Sequence, residues 1–171
     1  MLFRSSSAMQ LILVFETRAS CESDYIYVKS AIDYFYVERK HKTTPIYAKT
    51  KTSLINCGKR IESYMDKYQG VSKVILFADY DKKDDPNNVK IEKYCSDKSF
   101  DLVWMNLDIE EVFLGRRVEK RAKEREALNF LKKKQTYLSS NQVLANPKPL
   151  DKHPSSNLLV VLDRHLRRKH K

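Results

Sequence analysis

"VILFADYDKKDD", Val74–Asp85, is an apolar run that stops in four aspartates: Asp79, Asp81, Asp84 and Asp85. Val74–Ala78 contains no polar side chain, the pattern of a strand covered on both faces. "LILVF" (Leu11–Phe15) repeats that pattern, and "FDLVWMN" (Phe100–Asn106) and the shorter "TPIYAK" (Thr44–Lys49) read as further strands. The segments between them have helical spacing. Ser20 can cap a helix carrying Tyr25, Val28, Ile32, Phe35 and Tyr36, expected to end near Arg39–Lys42. Thr52 or Ser53 can cap a second, with Leu54, Ile55, Ile61, Tyr64, Met65 and Tyr68 inward and Gly70 as its stop. Pro86 opens a third, to about Asp97. Strands alternating with helices imply right-handed βαβ crossovers. The expected fold is therefore α/β: a compact parallel sheet of about four strands flanked by helices.

Charge divides the chain in two. Residues 1–114 hold 17 basic and 17 acidic side chains, and residues 115–171 hold 16 and 5, which is the whole net charge of +11. The expected organisation is an α/β domain over residues 10–115 and a basic helical extension with a tail over 116–171. A neutral body with a basic end points to a polyanionic partner, DNA or RNA. The candidate contacts are Arg116, Arg117, Lys120, Arg121, Lys132, Lys133 and Lys134. From Asp108 to about Lys134 the sequence reads as one helix, followed by a polar linker (Ala145–Ser156) and a last short helix, "LLVVLDRHL". That stripe is too short for a membrane anchor and reads as a docking helix.

Several chemistries are excluded. With three glycines, the chain has no Gly-rich phosphate loop. Cys21, Cys57 and Cys95 are far apart and lack zinc-ligand spacing. An odd cysteine count and no signal-like or membrane-length apolar segment give the expectation of a cytoplasmic protein. His41, His153, His165 and His170 read as surface residues, Trp104 as core, and Ser155–Ser156 as a helix cap.

In a parallel sheet, ligands collect at the carboxyl ends of the strands. There stand Glu16 after the first strand, Asp79 and Asp81 after the third, and Asn106, Asp108, Glu110 and Glu111 after the fourth. Adjacent strands lie about 4.8 Å apart, so these groups can share one site. Extended alternation puts Asp79 and Asp81 on one side, with Tyr80 facing away. Clustered carboxylates repel unless a cation or proton joins them. A hard divalent ion, Mg2+ or Mn2+, is the natural occupant.

"LVFE" after the first strand and "ILFADYD" after the third resemble the two signatures of the Toprim fold, shared by topoisomerases, primases, small ribonucleases and OLD-type nucleases. "LDIEEVFLG" (Leu107–Gly115) is similar to an acid-plus-apolar-helix element of RloB-like Toprim relatives found near restriction and phage-defence genes. The resemblance spans about residues 10–115. It implies Glu16 as the catalytic glutamate, Asp79 and Asp81 as the metal-binding pair, and Glu110 or Glu111 as a further carboxylate. The implied activity is a Mg2+-dependent nuclease in phage defence, with a defence-system protein as a further partner and room for an oligomer. Thr17 stands where the family has glycine, the glycine after DxD is also missing, and Glu22 or Asp24 stands for a second acid. Such glycines admit close approach of phosphate, so their loss favours a second reading, a catalytically silent binding module. A receiver-like signalling domain is a third; it requires a fifth strand, which the sequence does not reveal.

Overall fold

The two five-residue apolar runs lie side by side at the centre of a sheet. The computed structural model describes residues 8–18, 20–37, 41–148 and 153–169. β1 (Met9–Phe15) lies between β2 (His41–Tyr47) and β3 (Val71–Tyr80), and β4 (Asp101–Asn106) lies beyond β3. These strands are parallel: Phe15 pairs with Tyr47 on one side and Phe77 on the other, and Asp79 pairs with Met105. A two-residue strand, β5 (Ser155–Ser156), pairs antiparallel with the end of β4. The fold is thus α/β with a five-stranded, mostly parallel sheet. The extra strand is too short to carry any periodicity. Asn157 takes the N-cap position of the last helix without a side-chain cap bond, and Ser156, one residue earlier, accepts from Leu158 N with its Oγ at 3.1 Å.

Alternation along the strands builds two apolar layers. Leu11, Leu13, Phe15, Ile75, Phe77, Val103 and Met105 face α1 (Ser23–Phe35). Ile12, Val14, Val74, Leu76, Ala78 and Trp104 pack with Ile61 of α2 (Gly58–Asp66) and Ile91 and Cys95 of α3 (Pro86–Lys98). The first layer is completed by α4 (Ile109–Leu114) and the basic end of the chain. α4, α5 (Lys123–Lys132), α6 (Lys134–Ser140) and α7 (Leu158–Leu162) contribute Phe113, Ala127, Phe130, Leu138 and Leu162 to it. Each such Leu or Phe side chain, once buried, stabilises by roughly 1.5–3 kcal/mol, so the helices after residue 115 help hold the sheet together. No helix among the described residues is long and apolar enough to cross a membrane.

Several boundaries differ from expectation. α1 ends at Phe35, and His41 and Lys42 already belong to β2; residues 38–40 lie outside the described residues. Ser20 does not cap α1, which follows Glu22. Instead of one second helix, a 3-10 turn over Lys51–Asn56 is capped by Thr50, and α2 restarts at Gly58. The long helix expected from Asp108 breaks at Gly115, whose φ of +69° ends α4 in the left-handed conformation. Gly70 is required for another reason: a Cβ there would lie 2.3 Å from the Ala8 carbonyl oxygen, where the chain enters β3. His165 is not a simple surface residue, since its Nε2 lies 2.6 Å from Asp101 Oδ2. His170, part of the linker (149–152) and the last residue lie outside the described residues.

Candidate active site

The chain leaves β1 for β2 on one side and reaches β3 on the other, so the order of strands reverses between β1 and β3. At such a switch point the connections diverge and open a crevice at the carboxyl ends. Glu16 follows β1 at its lip, and Asp79 stands near the end of β3. The two meet: Glu16 Oε2 accepts from the Asp79 backbone N–H at 3.2 Å. Sixty-three positions apart in sequence, they are brought together by the parallel register.

Asp79 and Asp81 are placed differently. Asp79 is half-buried, while Tyr80 points to the opposite layer, its ring 5.3 Å from Trp104. Asp81 lies just past the strand with 59% of its side chain exposed. Lys51 Nζ reaches Asp81 Oδ2 at 3.5 Å and Asp85 Oδ2 at 3.0 Å, and lies 5.9 Å from the Trp104 ring centre. Asp85 also caps α3, accepting from Asn87 N at 2.9 Å. That hydrogen bond, then Lys51, holds its carboxyl below the ordinary range.

Behind Glu16 and Asp79 is a second acidic layer. Asp24, in the first turn of α1, is 8% exposed, and Ser23 Oγ donates to its Oδ1 at 3.2 Å. Glu110, at the start of α4, is fully buried; Lys123 Nζ donates to its Oε2 at 2.8 Å, and its Oε1 has no hydrogen-bond partner. Asp108 caps α4 through Glu111 N at 2.9 Å. Burial opposes charge on Lys123, but its bond to Glu110 outweighs this and raises its pKa.

The electrostatics follow from removing carboxylates from water. Burial, then repulsion from Glu16, Asp24 and Asp81, pushes Asp79 well above the carboxylate range. Burial also raises Glu16, against the Asp79 N–H bond and with Asp81 adding repulsion. Asp24 rises to about 7, from burial and then Glu110. Glu110 rises by burial despite Lys123. The crevice thus holds more negative charge than its lysines offset.

Of the expected metal ligands, Glu16, Asp79 and Asp81 fall within electrostatic reach of one another. Glu110 stands in the layer behind, turned to Lys123. Glu111 lines a different cavity, which shares no wall with the other three. Among the described residues no three His, Cys, Asp or Glu side chains form a ready-made metal group. The donors nevertheless fit a hard cation: they are all carboxylate oxygens, they repel one another, and Glu110 Oε1 is orphaned. Magnesium is commonly held by only one or two carboxylates, with water and substrate phosphate completing its shell.

The basic candidates spread over the far side of α4 and α5. Arg116 pairs with Glu126 and lines a cavity with Lys132, Lys133 and Tyr137. Arg117 and Lys120 are exposed, Arg121 is exposed 3.9 Å from Glu119, and Lys134 is partly exposed. Sequence reasoning missed Lys123 and Lys51. Lys123 shares the inner stripe of α5 with Ala127 and Phe130, at helical spacings of four and seven, which marks it as inward-facing. Lys51 follows β2, so the strand-end rule applied to bases as well as acids would have found it. Set against family models, curated proteins and solved structures, the chain has no match.

Proposed function

We propose that this chain is a Toprim-like, Mg2+-dependent nuclease that hydrolyses phosphodiester bonds in DNA or RNA. The observation that carries the reading is the contact between the Glu16 carboxylate and Asp79 across the strand-order reversal. It joins the two segments on which the Toprim resemblance rests, at the place where such sheets bind ligands. Glu16, Asp79 and Asp81 are the residues that would hold the ion, with Glu110 behind them. Such an ion supplies Lewis-acid polarisation of a phosphoryl oxygen and a water of lowered pKa. Burial raises the pKa of Glu16, which favours its acting as a general acid or base. Asp79 and Asp81 orient the phosphate-side ligands, and the cations of residues 116–134 bind the flanking backbone.

The test is incubation of the purified chain with single- and double-stranded DNA and RNA, with Mg2+ or Mn2+ and with chelator. Cutting is expected only with the metal. Asp79→Asn and Glu16→Gln should each lower it by at least about 100-fold with the far-ultraviolet circular dichroism unchanged. Metal-independent cutting, or full activity in both variants, would refute the reading. Thr17, in the position of the family's glycine, favours a second reading: a Toprim-like module that binds nucleic acid or protein without turnover. It is the outcome if salt-sensitive binding survives both substitutions and no cutting is seen.

A further inference from the structure

Glu111, one residue beyond the buried Glu110, opens onto a cavity of about 610 Å3 between α4, α6 and the segment 141–143. Its size falls in the range of roughly 300–1,000 Å3 usual for small-ligand pockets. Leu114, Val143 and Pro154 give it apolar walls, and Tyr137 adds an aromatic one. Asn141 holds that wall in place: its Nδ2 donates to the Val112 carbonyl at 2.9 Å and its Oδ1 accepts from Val143 N at 3.0 Å. Gln142, exposed at the rim, brings a side-chain amide.

Tyr137 also lines a second cavity, of about 380 Å3, with Arg116, Lys132 and Lys133. Its ring packs on Phe130 at 5.6 Å, which fixes it between the two spaces. Glu126 steadies Arg116 by an ion pair. One aromatic side chain thus lines both an apolar pocket, which carries the Gln142 amide and the Glu111 carboxylate, and a space lined by three cations and Glu126.

This is the chemistry that a single-stranded nucleotide needs. An aromatic face takes the base, an amide meets its edge, and cations take the phosphate. A duplex cannot use it, because its bases are already stacked and paired. We propose that the paired cavities bind single-stranded nucleic acid, one unstacked base in the larger and the adjoining phosphates in the smaller. The proposal rests on the nuclease reading in naming the substrate of that site, but binding is measurable without cleavage.

The experiment is an anisotropy titration of the full chain against labelled 12-nucleotide single-stranded DNA, single-stranded RNA and the matching duplexes, in chelator at fixed salt. At least one single strand should bind about tenfold tighter than its duplex. Tyr137→Leu should remove that preference, Tyr137→Phe should keep it, and Gln142→Ala, at an exposed position, should weaken the single strand about threefold. Equal or tighter duplex binding overturns the proposal. So does undiminished single-strand affinity in a folded Tyr137→Leu, or in Gln142→Ala if Tyr137→Leu does not fold. Cutting assayed separately in Mg2+ keeps the two readings apart. Cleavage without strand preference removes only the pocket, and tight single-strand binding without cleavage removes only the nuclease.

Discussion

Two lysine–carboxylate groups flank the same crevice and differ in nearly everything except charge. Lys123 meets a fully buried Glu110, in a layer that also holds the buried Asp24. Lys51 bridges Asp81 and Asp85 at the rim, where 59% of the Asp81 side chain meets solvent. At the rim, water offers Asp81 an alternative partner, and its attraction to Lys51 is weakened by that solvent. Glu110 has no such alternative, although 29% of the Lys123 side chain meets solvent, so breaking the pair strands the buried carboxylate. The inner pair thus belongs to the layer behind Glu16 and Asp79, and on the proposed reading the outer one is where Asp81 would be given up by Lys51 to a metal ion.

The largest expected effect comes from the inner pair. Lys123→Met should lower stability by about 3 kcal/mol at pH 8. The loss should shrink toward pH 5, because Glu110, already raised by burial, then takes a proton. Adding Glu110→Gln should recover part of it at pH 8. Urea denaturation at the two pH values reads all three changes. An unaltered midpoint in Lys123→Met would break the contrast with the rim.

Asp24 gives a smaller effect of opposite sign. Its folded pKa of about 7 lies above the ordinary 3.8, so the folded chain binds the extra proton. Stability from that proton is complete below pH 3.8 and is lost as pH rises to about 7. Asp24→Asn, which cannot ionise, should therefore stabilise the metal-free chain by about 2 kcal/mol at pH 8 and change little near pH 4. A gain that did not depend on pH would mean that Asn packs better there, and would remove repulsion as the cause. Divalent metal should reduce the gain, because the same negative charge that destabilises the free chain attracts the ion.

How much of this was legible follows from the kind of signal each part emits. β1 and β3 are legible because burial on both faces demands Leu11–Phe15 and Val74–Ala78 without a polar break. Glu16 and Asp79 are legible because a parallel sheet sends its strand ends to one edge. Their hydrogen bond was not, since it depends on register, which apolar runs without alternation leave unspecified. Lys123 was hidden by its charge: in "KRAKEREALNF" it looks like one more solvated base, and only its spacing to Ala127 and Phe130 gives it away. The role of residues 116–169 in the core was masked in the same way, by polar residues on the outer faces of short, broken helices.

The rim pair carries the smallest expected effect on stability and the sharpest test of exchange. Lys51 Nζ lies within 3.5 Å of both Asp81 and Asp85, so its removal unmasks Asp81, and methionine keeps most of the volume of its largely buried stem. Lys51→Met should shift the urea midpoint less than Lys123→Met, and the shift should shrink in about 0.5 M salt, which screens the attraction to the exposed Asp81. The same change should tighten Mg2+ binding, because the ion no longer competes with an ammonium for Asp81. Isothermal titration of both chains with Mg2+ measures this directly. Weaker Mg2+ binding in Lys51→Met would mean that the lysine preorganises Asp81 rather than competing for it, and the outer pair would then be a fixed part of the site, as the inner one is.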